Sequence, residues 1–181
     1  MGKTLSKKFI LQWELTGIVL IFVAGSFFHF VFKLTGQWPP VALIGAVNES
    51  VWEHLKLAFW PALIYALAEF PFLKNTKNFW TSKSFGILSM PLAIVILFYG
   101  YTSLIGHHIL WVDIALFGFA VSIGQMISFR LMTGRLLSRK VKFIGAVLLL
   151  IMILAFSLFS YLPPHFSLFR DSVSGQYGFL K

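Results

Sequence analysis

The run Asn48-Glu49-Ser50-Val51-Trp52-Glu53-His54-Leu55-Lys56-Leu57 concentrates reactive residue types in an otherwise apolar chain. On a helix Glu49 and Glu53 are four apart, as are Ser50 and His54, and Glu53 and Lys56 are three apart, so each pair can touch. A carboxylate and an imidazole on neighbouring faces of one helix can ligate a divalent metal, or act as an acid/base pair tuned by a low dielectric. Ser50 and His54 also have a nucleophile-and-base pairing. A plainer reading competes. Ser50-Val51-Trp52-Glu53 has the spacing of a capping box, Glu49 and Glu53 complement a positive helix end, and Lys56 and Trp52 reach for headgroups. A cap accounts for Ser50 and Glu53 but not for His54, one turn deeper.

His107-His108 followed by Asp113 is a second constellation. Adjacent helical positions point about 100° apart, so at most one His of the pair is expected to face the bundle. Asp113 falls inside an apolar stretch and needs a partner: Lys56, His54 or a His of the pair. His29 sits in the aromatic run Phe27-Phe28-His29-Phe30, where a hydrogen-bonded core histidine competes with a ligand. The tail Pro163-Pro164-His165-Phe166-Ser167-Leu168-Phe169-Arg170-Asp171 mixes apolar anchors with ionisable groups. It reads as a lid over a site, or as an interfacial aromatic belt. The expected roles follow. Glu49 or Glu53 is a general base and Ser50 a nucleophile. His54, His108, His29 and Asp113 are ligands of a zinc-like divalent metal. Asn48, Trp52, Lys56, His107, His165, Arg170 and Asp171 contact substrate.

The elements that must position these groups are membrane spans. Of 181 residues, 58% are hydrophobic and 12% charged, and the mean hydropathy is +0.83. Soluble domains run at about 45–50% apolar and about 25% charged, so the chain falls in the membrane class. The formal charge of +9 would suggest nucleic acid in a polar protein; here a soluble nucleic-acid binder is excluded, and so is disorder. Without cysteine there is no disulfide, thiolate metal site or Cys nucleophile. Five stretches reach the roughly 20 residues that a bilayer requires: 9–32, 51–73, 85–105, 109–129 and 143–162. The third and fifth hold no charged residue. The first follows Lys3, Lys7 and Lys8 and is too long for a signal peptide's apolar core, so it reads as an uncleaved span.

Orientation follows from short-loop Lys and Arg. Lys3, Lys7, Lys8, Lys74, Lys77, Lys83, Arg130, Arg135, Arg139, Lys140 and Lys142 fall on one side; Lys33, Lys56, Arg170 and Lys181 fall on the other. The expectation is an all-α integral membrane bundle of five transmembrane helices in one membrane domain, 1–181, with the N-terminus cytoplasmic and the C-terminus outside. Residues 33–50 then form an outer loop and 163–181 an outer tail. Within the loop, the apolar run 41–47 is too short to span and should lie in the interface or dip in as a re-entrant segment. All five His and four of the six carboxylates collect at the outer face, whereas Glu14 and Glu69 lie inside and are expected to pair with loop lysines. No ionisable group marks a relay through mid-membrane, which counts against proton-coupled transport. There is also no Walker loop, G-x-G-x-x-G, H-E-x-x-H or G-x-S-x-G.

The run at 48–57 resembles the Asn-Glu-Ser-x-Trp-Glu-His-Leu-Lys-Leu signature of a family of small, multi-spanning bacterial membrane proteins with no assigned function. His29, the His107-His108 to Asp113 segment and the closing Pro-Pro-His, Phe-Arg-Asp and Tyr-Gly pieces are similar to its pattern as well. The resemblance covers nearly the whole chain and implies a bacterial cell membrane, but no activity. A weaker likeness is to the membrane hydrolase superfamily of alkaline ceramidases and adiponectin receptors. Those proteins hold zinc with His and carry a Ser-x-x-x-His element that Ser50 and His54 match; here there are five spans instead of seven, and no paired H-x-x-x-H on a late span. The expected function is a metal-dependent membrane hydrolase or transferase acting on a lipid or envelope substrate from the outer leaflet. The alternative is a non-enzymatic small-ligand or ion binding or transport module, or a subunit of a membrane complex. The partners expected are the lipid bilayer and a lipid or envelope small molecule, with no nucleic acid.

Overall fold

Serine hydroxyls start three of the helices. Ser6, Ser50 and Ser138 each accept from the backbone amide three residues on, at Phe9, Glu53 and Val141, which satisfies one of the donors that a helix start leaves free. The computed structural model describes residues 5–179. Its long helices are α1 (Lys7–Leu34), α2 (Val51–Leu73), α3 (Phe79–Ile105), α4 (Leu110–Thr133) and α5 (Arg139–Leu158). All five are long and apolar enough to cross a membrane, and no strand is formed among the described residues. Short 3-10 turns at Pro39–Leu43 and Ser167–Phe169 lie in the α1–α2 connection and the tail. The apolar run 41–47 thus begins in a 3-10 turn and builds no helix of its own, and Ala42 within it is buried.

Helix α2 is the hub. Trp52, Leu55, Ala58, Phe59, Ala62, Tyr65 and Ala66 from it form a core with Ile21 of α1, Ile87 and Met90 of α3, Val121 of α4, Phe156 of α5 and Phe169 of the tail. Helix α5 lies at the periphery: Gly145 and Phe156 are its buried residues, while Phe143, Leu150 and Leu154 face outward. Val19, Val23, Leu92 and Ile96 are likewise exposed on α1 and α3. An apolar exterior around a more polar core suits lipid as solvent, where helices keep their backbone hydrogen bonds internal.

Two places depart from the sequence reading, and both concern lysines. Helix α3 begins at Phe79, so Lys83 belongs to the helix and not to a loop; it is 2% exposed and paired with Glu14 and Glu69. Those two carboxylates are therefore paired, but by a helical lysine instead of loop lysines. Lys56 is 0% exposed and paired with Glu53, so it does not reach outward to headgroups. A hydropathy window counts each lysine as a cost, and only tertiary pairing removes that cost.

Glycines allow α3 and α4 to approach closely. A Cβ on Gly124 would lie 2.6 Å from the carbonyl oxygen of Gly86, and one on Gly86 would lie 2.7 Å from that of Gly124. This is the small-residue contact by which membrane helices bring their backbones together. Gly124→Ala is expected to destabilise the protein by about 1–3 kcal/mol through overpacking, read as a lower melting temperature in detergent. Gly100→Ala, inside α3 where a Cβ meets nothing within 4 Å, should not lower melting.

Candidate functional site

At one end of the bundle, α1, α2, α3, α4 and the tail enclose a cavity of about 1190 Å³. Its body is apolar, lined by Phe22, Leu57, Ile94, Phe98 and Phe117. Its polar groups are His29, Glu49, His54, His108, Asp113, Arg170 and Asp171. Three of these converge. His29 on α1, His54 on the first turn of α2 and Glu49 just before it each offer a ligand atom, all within 4.8 Å of one another. His54 Nε2 is 3.4 Å and His29 Nε2 4.0 Å from Glu49 Oε2, and the two imidazole centroids are 5.2 Å apart.

The orientation of His54 carries the chemical information. Its Nδ1 lies 2.8 Å from the carbonyl oxygen of Ser50. A carbonyl can only accept, so Nδ1 bears the hydrogen. In the neutral ring Nε2 therefore presents a lone pair toward Glu49 Oε2, and the two atoms are bridged either by a proton, as an imidazolium–carboxylate hydrogen bond, or by a metal ion. Tetrahedral ligands about 2.0–2.1 Å from zinc stand about 3.4 Å apart, which the His54–Glu49 pair matches at 3.4 Å, whereas His29 stands farther from Glu49 at 4.0 Å. The hydrogen bond with His54 holds the Glu49 carboxyl below its usual range, and His29 and Lys33 add to that effect. Lys33 Nζ lies 3.9 Å from Glu49 Oε1. Two imidazoles and one carboxylate on a cavity wall are a group that could hold a divalent metal ion.

His108 and Asp113 make a separate pair on the cavity wall: His108 Nδ1 is 3.2 Å from Asp113 Oδ2. The hydroxyl of Tyr101 donates to the other Asp113 oxygen and accepts from the Ile109 amide at 3.0 Å. Of the partners expected for Asp113, the His pair supplies it. Tyr101 was not singled out in the sequence, because nothing in its apolar surroundings marks it until α3 and α4 pack.

Other expected site residues build the walls. Ser50 is the helix cap, and it is its carbonyl, not its hydroxyl, that His54 engages. Glu53 does not close a capping box onto Ser50. One of its oxygens lies 2.6 Å from Lys56 Nζ and accepts from the Val47 amide at 3.0 Å; the other accepts from Ser160 at 2.7 Å. Lys56 donates in turn to Ser160 Oγ and to the carbonyl of Ala42, each at 2.7 Å. Glu53 and Lys56 are thus sealed in the core, which removes them from service as a base and as a substrate contact. Trp52 is buried among Phe156, Phe159 and Phe169. His107 is exposed and does not line the cavity.

The tail closes onto the loop that carries Glu49. Asp171 accepts from the amides of Glu49 at 3.1 Å, Val173 at 3.2 Å and Ser174 at 3.1 Å, and from the Ser174 hydroxyl. Burial alone would push its carboxyl up, but those hydrogen bonds outweigh it and hold the group below its usual range. Asn48 donates to the carbonyl of Gly178, Ser172 to that of Glu49, and Arg170 Nε to that of Gly175. His165 packs against the Tyr177 ring. Asp171 and Asn48 therefore act as clamps for Glu49.

In comparisons with known proteins, the model of a family of unknown function, DUF6512, matches residues 3–179. No curated protein and no solved structure matches the chain.

Glu53→Gln leaves the Lys56 ammonium buried without its counter-charge. The expected cost of about 3–5 kcal/mol lowers melting by roughly 10 °C. A Glu53→Met/Lys56→Met double variant should recover only part of that loss, because the Val47 amide, the Ala42 carbonyl and the Ser160 hydroxyl lose their partners.

The tail clamp makes its own prediction. A group with a depressed pKa contributes stability that is present above its ordinary value and lost as pH falls through the depressed one. With a dye on Val173→Cys in this cysteine-free chain, anisotropy should therefore report a docked tail at neutral pH. It should drop in acid, starting below the ordinary aspartate value of 3.8. Asp171→Asn should lower it already at neutral pH.

Proposed function

The chain belongs to DUF6512, a family of unknown function, and from the site just described we propose a metal-dependent membrane hydrolase or transferase that acts on an amphiphilic lipid or envelope substrate. The observation that carries this reading is the convergence of His29, His54 and Glu49 on a cavity wall, with His54 Nε2 turned toward a carboxylate by its hydrogen bond to Ser50. The distribution of Lys and Arg supports a cytoplasmic N-terminus; on that reading the cavity faces the outer leaflet, and a bacterial cell membrane is the proposed location.

His29, His54 and Glu49 would hold a zinc-like divalent ion, with Glu49 then a ligand and not a base. The bound metal supplies Lewis acidity and a water that ionises near neutral pH. The remaining work belongs to the chain. The Ser50 carbonyl fixes the tautomer of His54, as a hydrogen-bonded partner does for metal-bound imidazoles generally. Asp113 orients His108 through Nδ1, which leaves Nε2 free to take a proton from the attacking water and return it to the leaving group. Tyr101 holds Asp113 in place. The apolar body lined by Phe22, Phe98 and Phe117 takes the hydrocarbon part of the substrate and leaves its polar head beside the histidines. The tail, clamped by Asp171, covers that head. In the reaction, water adds to the acyl or phosphoryl centre, the bond to the leaving oxygen or nitrogen breaks, and the leaving atom receives the proton.

Purified protein is expected to retain about one transition metal per chain by elemental analysis. His54→Ala should weaken binding at least 10-fold and chelator should lower the melting temperature. Absence of metal, with melting indifferent to chelator, would falsify the reading. Turnover of radiolabelled envelope lipids should fall about 100-fold in His108→Ala while the metal is retained. Metal retained without any turnover would instead favour the binding or transport module.

A further inference from the structure

The other end of the bundle holds a second ionisable cluster that the proposed function does not use. Glu14 on α1 and Glu69 on α2 are 0% exposed, and Lys83 on α3 is 2% exposed. Lys83 Nζ lies 2.6 Å from Glu14 Oε1 and is also paired with Glu69 Oε1. Helix α4 contributes neutral groups: Ser128 Oγ donates to Glu14 Oε1 at 3.4 Å and Gln125 Nε2 to the Glu14 carbonyl at 3.3 Å. Tyr65, the other titratable group on this part of α2, spends its hydroxyl on the Trp13 carbonyl at 2.6 Å.

The charge count does not close. Two carboxylates face one ammonium, and among the described residues no other cation lies within 4.0 Å of either. If fully ionised, the cluster carries one uncompensated negative charge inside a sealed helix junction, a state that costs far more than an exposed one. A second observation points the same way. Glu14 Oε2 and both oxygens of Glu69 are fully buried and have no hydrogen-bond partner, although Glu14 Oε1 and Glu69 Oε1 each form an ion pair with Lys83. A buried carboxylate oxygen without a donor is where a proton belongs, because protonation removes the charge and leaves an O–H.

We propose that Glu14, Glu69 and Lys83 form a proton-binding site in which one proton is held by the carboxylate pair, so that the junction of α1, α2 and α3 is electrically neutral when occupied. The ligand is the proton itself, and the site is independent of the metal reading at the other end. Lys83 neutralises one carboxylate and the proton neutralises the other. Removing the proton turns a neutral junction into one with an unpaired charge, which loosens the three helices it joins.

Charge counting makes the test sharp. Infrared spectra of the full chain in detergent at neutral pH should show the carbonyl stretch of a neutral carboxylic acid, shifted by deuteration. Glu69→Gln and Glu14→Gln should each abolish that band, because the remaining carboxylate pairs with Lys83. Each single variant should melt close to wild type, since Gln mimics the neutral acid. The double Gln variant strands Lys83 and should melt roughly 10 °C lower. Raising the pH should erase the band and lower melting in wild type, but not in either single variant.

A missing band in folded wild-type protein at neutral pH would mean a fully ionised staple and overturn the proposal. A missing band together with sodium-dependent melting would overturn it in favour of a monovalent cation. A misfolded single variant would also count against it, and the wild-type band then decides independently of any substitution.

Discussion

Where α2 begins, the loop before it and the end of α5 meet on one buried ion pair. Glu53 and Lys56, three residues apart on the same helix, bind each other, the Val47 amide, the Ala42 carbonyl and the Ser160 hydroxyl. In a low-dielectric core such charges persist only when each polar atom has a partner, so this closed network fixes the path of the chain from Ala42 to Ser50. That path sets the position of Glu49 and the first turn that carries His54. The tail adds the second constraint by holding the Glu49 amide and carbonyl through Asp171 and Ser172. The metal-type donor set depends on both, although neither Glu53 nor Asp171 belongs to it.

The two ends of the bundle solve the problem of polar groups in an apolar chain differently. At the His-bearing end, polar side chains line a large cavity and keep free valences: His54 Nε2, the exposed edge of His108 and the carboxylate of Glu49. At the opposite end Glu14, Glu69 and Lys83 are sealed, each at most 2% exposed. Groups that keep free valences at a cavity are suited to ligands that come and go. Groups that are sealed hold helices together or carry something as small as a proton. Between the ends, the core of α2 is aromatic and aliphatic, and the close approach of α3 and α4 at Gly86 and Gly124 leaves little room for a continuous polar path.

Much of this was legible from residue order. The spans announce themselves by hydropathy, and the capping serine at Ser50 follows from its spacing to Glu53. The concentration of His with carboxylates at one face follows from counting, and Asp113 had to find a partner. Less legible were the roles within the clusters. Glu53 and Glu49 have the same side chain, four residues apart, yet one is buried in an ion pair and the other faces a cavity. Lys56 and Lys83 read as boundary lysines because composition cannot show that a carboxylate waits on another helix. Tyr101 and Ser160 carried no signal, since a hydroxyl in an apolar span becomes informative only when its neighbours are known.

By itself, then, the amino-acid order determined that this is an all-helical, multi-pass membrane chain and which residue types gather near each end, because hydropathy and spacing are local properties of the chain. Only tertiary structure decided which of those residues meet. His29 joins His54 across two helices, Asp171 reaches Glu49 from the far end of the chain, and Lys83 draws Glu14 and Glu69 together. Such pairings depend on helix rotation and register, which are set by the packing of α2 against its neighbours and are not encoded in any single segment.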